Sequence, residues 1–256
     1  MQSTMLGLKE PQGVGYEPST DAIYVANTAD GSVHILRAED LTRLGRVDLG
    51  DDADNVRIDS TRSRVFVGYG KGALAVIEPK SQAKVGDIRL KAHPESFQID
   101  ESGTRAFVNV PDAGQIEVVD LTKGEAIGTL PTQGHGSNFP MALDREKQRV
   151  LVAFRSPVRL LALSAADGAV VADLETCGDA DDVFVDPKRH RVYVSCGAGL
   201  VDIFEEGAGA YQRIGQIGTA PGARTSLFVP ELDRLYLAVR AAGSEPAAIW
   251  IFQPMP

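Results

Sequence analysis

Short runs of β-branched and aromatic residues alternate with polar turns along the whole chain, and one kind of run returns at a nearly fixed spacing. The runs AIYVAN, RVFVGY, RAFVNV, RVLVAF, RVYVSC and RLYLAV place their third residues at Tyr24, Phe66, Phe107, Leu151, Tyr193 and Tyr236, in steps of 42, 41, 44, 42 and 43. Apolar runs of this length, bounded by turn residues, predict strands. Before most of them stands a segment that ends in a turn, such as VRIDSTRS, FQIDESGT, MALDREKQ or VFVDPKRH. After each comes a third apolar run (SVHILR, ALAVIE, QIEVVD, VRLLAL, LVDIFE, AIWIF) and usually a fourth (LGRVDL, VGDIRL, AIGTL, VVADL, RIGQIG). Four strands per period of about 42 residues is the unit of a β-propeller blade. The pattern therefore predicts an all-β fold, a β-propeller of six four-stranded blades.

The same period explains an echo in the polar positions. DADN, around Asp54, returns as DADD, around Asp181, 127 residues later, which is three periods. The two phrases mark equivalent places in the second and fifth blades. The last repeat stops after its third strand, AIWIF, while the N-terminus offers a spare strand, STMLGL. That segment is expected to complete the last sheet, because an unpaired edge is a liability that propellers protect. No linker or low-complexity stretch interrupts the repeat, so residues 1–256 are read as a single propeller domain. A two-domain β reading leaves the period unexplained.

Charge narrows the partners. The chain carries 35 acidic and 26 basic residues, a formal net charge of −9, with no basic cluster able to track a phosphate backbone, which argues against nucleic acid. No run of about 18 apolar residues predicts a membrane span. The start, MQSTMLGLKE, lacks the basic and apolar regions of a secretory signal, so the residues themselves leave the location open. Cys177 and Cys196 are too few for a disulfide framework and match no zinc spacing. Cys177 falls in a loop leading into a first strand, and Cys196 ends a strand running toward the same face. Pairing, or a free thiol at Cys177 with Cys196 as a small core residue, both remain open.

Propellers bind ligands with the loops that lead into the innermost strands, since these converge on the channel mouth. Here the lead-in loops read EPQG, DADN, HPES, NFP, DADD and ARTS. One column holds Gln12, Asp54, Glu95, Phe139, Asp181 and Thr225, and the next holds Gly13, Asn55, Ser96, Pro140, Asp182 and Ser226. Four carboxylates, Asp54, Glu95, Asp181 and Asp182, are thus expected near one axis, where their repulsion needs a cation, a proton or donors to offset it. Their oxygens, with Asn55, suit a hard cation such as calcium, and a cationic organic ligand would answer the same field. Gln12, Asn138, Phe139, His135 and Arg224 complete the candidate ligand-binding set.

A structural alternative stands beside this one. Asp and Asn at such junctions commonly cap backbone amides, and Arg224 is placed to pair with Asp181 or Asp182. His93 and His135 are candidates for a transition metal or a general base, with turn-forming or solvated roles as the alternative. Phe139 either stacks on a ligand or plugs the channel. His34 and His190 read as structural, and the repeating acids Asp59, Asp100, Asp144 and Asp186 read as turn chemistry on the opposite face. The glycines of GYGKGA fit a hairpin rather than a phosphate cradle, which needs a following helix. No G-x-S-x-G elbow is present.

The YVAN and YVSC runs, with Asp-containing turns before them, resemble the YVTN-repeat, YncE-like β-propellers over nearly the whole chain. The phrases LKEPQGVGY, GDDADNVRID, AHPESFQID, NFPMALD, GDADDVFVD and PGARTSLFVPELDRLYLAV resemble one bacterial subgroup of that family. The resemblance implies an exported protein, periplasmic or extracellular, in a family that is commonly seven-bladed and largely without an assigned activity. This chain departs from it in showing no signal peptide and one blade fewer, so a seven-bladed member lacking its first blade is the alternative to a six-bladed one. The first functional expectation is a non-enzymatic propeller that binds a small molecule, a cation or a protein segment at its acidic mouth. The second is a lactonase-like, metal-dependent hydrolase, with a cation on Asp54, Asn55, Glu95, Asp181 and Asp182 and His135 or a carboxylate as base. A structural scaffold is the third.

Overall fold

The computed structural model describes residues 7–207 and 210–255. The chain divides into two compact units, Met1–Thr129 and Leu130–Pro256. The first unit begins with a sheet of β1 (Pro11–Glu17), β2 (Ala22–Asn27), β3 (Ser32–Arg37) and β4 (Arg43–Asp48). Next come β5 (Ala53–Asp59), β6 (Arg64–Tyr69), β7 (Ala73–Glu78) and β8 (Ala83–Arg89). Its third sheet is β9 (Phe97–Ile99), β10 (Arg105–Val110), β11 (Gln115–Asp120) and β12 (Glu125–Leu130), whose last residue opens the second unit. Strands that follow one another in the chain are neighbours in every sheet. The first strands lie side by side, β1 against β5 and β5 against β9.

The second unit repeats the plan. Its sheets are β13 (Gly136–Asp144), β14 (Arg149–Ser156), β15 (Val158–Ser164) and β16 (Val170–Glu175), then β17 (Ala180–Asp186), β18 (Arg191–Cys196), β19 (Leu200–Gly207) and β20 (Ala210–Gly218). The last is β21 (Ser226–Val229), β22 (Arg234–Val239) and β23 (Ala248–Phe252), three strands among the described residues. Residues 3–6 of the segment expected to complete it lie outside the described residues. Six blades of this kind make the chain a β-propeller, as the repeat predicts.

The periodic third residue of the second strand is a core position in the first five blades, and its counterpart in the sixth, Tyr236, is half-buried. Tyr24, Phe66, Phe107, Leu151 and Tyr193 are all buried, because a strand between two neighbours turns one face toward each adjoining sheet and leaves neither to water. A second column, unremarked in the sequence, is made of small residues. Gly45, Gly86, Ala172 and Gly215 lie opposite Ile35, Val76, Ala162 and Ile203, and each pairing is followed by a shift of register. A residue with little or no side chain tolerates the local bend of such a bulge, which turns the outer strand as the blade twists.

The turn acids do what the sequence predicts. Asp59 accepts from Thr61 N and Oγ1 at 3.0 and 2.5 Å, and Asp100 accepts from Ser102 Oγ at 2.8 Å and Thr104 N at 3.0 Å. Asp144 accepts from Lys147 N at 3.0 Å, and Asp186 from Lys188 N at 3.1 Å. Glu17 fills the same place in the first blade, accepting from Thr20 N and Oγ1. These side chains satisfy backbone donors that the tight turn leaves without a ladder partner.

His34, on β3, is only 2% exposed, and its Nδ1 has no hydrogen-bond partner. Burial, and then the positive charges of Arg43 and Arg46, push its pKa below the ordinary histidine value. The folded protein thus disfavours the protonated ring that the unfolded chain accepts. The stabilisation is complete above about pH 6.5 and is lost as pH falls through the depressed folded value. Melting temperatures measured from pH 7.5 down to 5 are expected to fall more steeply for the native chain than for His34→Leu. Parallel curves would rule out His34 as a source of acid sensitivity.

Candidate functional site

In the first unit the lead-in loops of the second and third blades meet. Asp54 and Asn55 are the second and third residues of β5, while His93 and Glu95 lie in the loop before β9. One ligand atom each from Asp54, His93 and Glu95 lies within 4.8 Å of the other two, all three side chains being half-buried. Asn55 Nδ2 donates to Asp54 Oδ1 at 3.3 Å. Two of the four carboxylates expected to gather, Asp54 and Glu95, are therefore neighbours, and a histidine from the same loop joins them.

Local backbone fixes this group. Glu95 N donates to Asn109 O at 2.9 Å and Asn109 N to Ser96 O at 3.1 Å, which extends the pairing of β10 into the loop. Pro94 is buried over β6, where a Cβ on Gly68 would come within 3.1 Å of its Cγ. The imidazole of His93 is anchored by Nδ1, 2.6 Å from Gly70 O, and its Nε2 stands 3.8 Å from Asp52 Oδ2. Gly70 N in turn donates to Asp52 O at 2.9 Å. On the other side Gly13 brings β1 against the start of β5: a Cβ there would collide with Asp54 O and approach Asn55 Cα and Val56 N to 2.9 Å. Arg57 donates to Ser96 Oγ at 3.2 Å and lies over the Phe97 ring at 5.5 Å. Gln12 sits exposed on β1.

The acids of the second unit have a different setting. Arg155 Nη2 is 2.6 Å from Asp181 Oδ1, its Nη1 is 3.2 Å from Asp179 Oδ1, and its Nε donates to Ala180 O at 2.9 Å. Arg224 Nη1 donates to Asp179 at 2.6 and 2.7 Å, and its Nε stands 3.3 Å from Asp181 Oδ2. The hydrogen bond with Asp179 is the main reason that the Arg224 guanidinium holds its proton more tightly than usual. Asp182 Oδ2 accepts from Ser226 N at 2.6 Å, and Ser195 Oγ pairs with Ser226 Oγ at 2.7 Å. Two arginines and two aspartates thus form a charge-balanced lattice around the repeated phrase. Phe139 lies under Arg155, whose guanidinium carbon is 4.2 Å from the ring centroid, a cation–π contact. Asn138, beside it on β13, is buried opposite Phe154.

His135 is engaged within its own blade. Its Nε2 is 3.1 Å from Asp173 Oδ2 on β16, Arg159 Nε donates to Asp173 Oδ1 at 2.7 Å, and Phe154 meets the imidazole edge-on at 5.4 Å. Partial burial works to raise the Asp173 pKa, but the bonds from Arg159 and His135 outweigh it and hold the carboxyl below its usual range. Cys177 and Cys196 form a disulfide with Cα atoms 5.8 Å apart, which ties the lead-in loop of the fifth blade to the end of β18.

Asp179 and Arg155 were not among the residues singled out from the sequence. The residues after the six second-strand runs are Thr28, Gly70, Pro111, Arg155, Gly197 and Arg240, so a long cation stands at this place only in the fourth and sixth blades, and that was the one signal of Arg155 in the sequence. Asp179 precedes the two columns compared, and its left-handed backbone (φ 61°) turns the loop just before β17.

No family model matches the chain, and no curated protein matches it. Solved structures do. Kuenenia stuttgartiensis hydrazine synthase superposes with a TM-score of 0.80 at 17% identity, covering 94% of this chain and 77% of the other. A chain of the mitotic checkpoint complex gives 0.81 at 14% identity, with 94% and 74% covered. The Myceliophteria thermophila Cps50 (Swd1) β-propeller domain gives 0.77 at 10% identity, with 98% and 88% covered. At such identities the likeness establishes the fold, and the chain is a β-propeller, an architecture commonly used for binding.

Proposed function

We propose that this is a non-enzymatic binding propeller of the YVTN-repeat, YncE-like kind, and that the lead-in loops of its second and third blades hold a cationic ligand. The observation that carries the reading is the meeting of Asp54, His93 and Glu95 within 4.8 Å. Two carboxylates and an imidazole converging from two loops supply a donor set that a cation can use. Asp181, in the other copy of the repeated phrase, is paired with Arg155 and Arg224, and Asp182 caps a backbone amide. Their part in this proposal is to fix the loop, not to hold the ligand. The Cys177–Cys196 disulfide supports an oxidising compartment, as the family resemblance implies. We also propose that residues 1–256 unfold as one domain, in a single transition.

Thermal melts of chelator-treated protein, with and without a millimolar divalent cation, test the reading. A ligand at a hundred times its Kd adds about 2.7 kcal/mol of apparent stability. Asp54→Asn and Glu95→Gln are expected to abolish that gain. Asp181→Asn is expected to lower the melting temperature without cation and to leave the gain intact. The reading fails if no inorganic or organic cation stabilises the protein, or if Asp181→Asn removes the gain while Asp54→Asn keeps it.

A further inference from the structure

We infer that the cation is a transition metal of the zinc class, bound by Asp54, Glu95 and Nε2 of His93, and not a hard cation such as calcium. This rests on the cation reading above and names its ligand. Calcium takes six to eight oxygen donors, whereas imidazole is a donor for zinc, copper, nickel and iron. The third member of the converging group is an imidazole, and it is presented as a ligand would be.

Gly70 O can only accept, so the ring nitrogen 2.6 Å from it, Nδ1, carries the hydrogen. The neutral ring then has its lone pair on Nε2, the nitrogen that stands 3.8 Å from the Asp52 carboxylate. A metal-binding histidine whose other ring nitrogen donates to a backbone carbonyl has its tautomer and its direction fixed in advance. Ligand atoms of a tetrahedral zinc site lie about 3.4 Å apart, as bonds of about 2.0–2.1 Å require. Binding therefore requires the present spread of up to 4.8 Å to close by movement of the side chains, while the bonds of Glu95 N and Gly70 N hold the backbone on both sides. Two carboxylates neutralise a divalent ion. Three protein ligands leave a further position, which Asp52, water or a donor atom of a bound molecule can take.

Calorimetric titration of the metal-stripped protein with zinc and with calcium tests this. Zinc is expected to bind at least a hundredfold more tightly. His93→Gln is expected to weaken zinc at least tenfold while moving calcium less than threefold. Because the substitution also loses the Gly70 bond, a spectroscopic reading on the native chain accompanies it. Copper(II) bound at one equivalent is expected to show imidazole nitrogen coupling in its electron spin echo, lost in His93→Gln.

Calcium binding as tight as zinc and indifferent to His93, yet removed by Asp54→Asn, would overturn the metal assignment and leave the cation reading standing. Binding of neither metal, with an organic cation bound instead, would do the same. Failure of every cation would overturn both. Nitrogen coupling that persists in His93→Gln would place the metal on another histidine and overturn the assignment.

Discussion

Asp186→Ala is expected to destabilise the protein by about 3–4 kcal/mol, a fall of roughly 6–16 °C in melting temperature for a chain of this size. The Asp186 carboxylate, 1% exposed at the end of β17, accepts from Lys188 N, Arg189 N, Arg189 Nη1 and the Tyr193 hydroxyl at 2.7–3.3 Å. Removing it leaves a buried phenol and two turn amides without their acceptor, and orphaned donors cost more than the bonds themselves contribute. Burial and the bond to Asp186 both hold the proton on Tyr193, raising its pKa well above the ordinary value. Arg189 also reaches Asp233 with both of its terminal nitrogens, at 2.6 and 2.8 Å, linking the fifth blade to the sixth. That pairing holds the Asp233 carboxyl far below the usual carboxylate range. Asp186→Asn keeps an acceptor oxygen and is expected to cost about half as much. Denaturant unfolding measures both, and a loss below about 1 kcal/mol for the alanine variant would show that the turn holds without its acid.

Reduction of the Cys177–Cys196 bond is expected to cost about 3 kcal/mol, since it frees a loop of 19 residues' separation in the unfolded chain. The expected fall in melting temperature is roughly 6–12 °C. Both cysteines are buried, at 4% and 0% exposure, so the thiols left behind gain little from water. A reductant should lower the melting temperature of the native chain and leave that of the Cys177→Ala, Cys196→Ala double variant unchanged. Two titratable thiols in the unreduced, denatured protein would contradict the bond.

The strands and their order were legible because one repeating unit is written six times, and a column such as Tyr24, Phe66 and Phe107 averages out local ambiguity. The meeting of Asp54 with Glu95 was legible for the same reason, since equal columns of consecutive blades lie side by side. What the repeat does not carry is the choice among partners. Asp181 and Asp54 share a column, yet one faces Arg155 and Arg224 and the other faces His93, because the residues that distinguish the two lie outside the repeated phrase. The disulfide was open for a related reason: a spacing of 19 says nothing of Cα separation until the loop's path is known. The calcium expectation rested on four carboxylates and an amide drawn from three loops. The carboxylates that meet within the first unit bring an imidazole with them, and that changes the chemistry of the set.

The most direct test of the cation site is crystallographic. Crystals of the stripped protein, soaked in one equivalent of zinc and recorded on both sides of the zinc absorption edge, are expected to show one dominant anomalous peak within about 2.0–2.2 Å of Asp54, His93 Nε2 and Glu95. A dominant peak at His135 and Asp173, or among Asp179, Asp181 and Asp182, or no peak at all, would contradict the account.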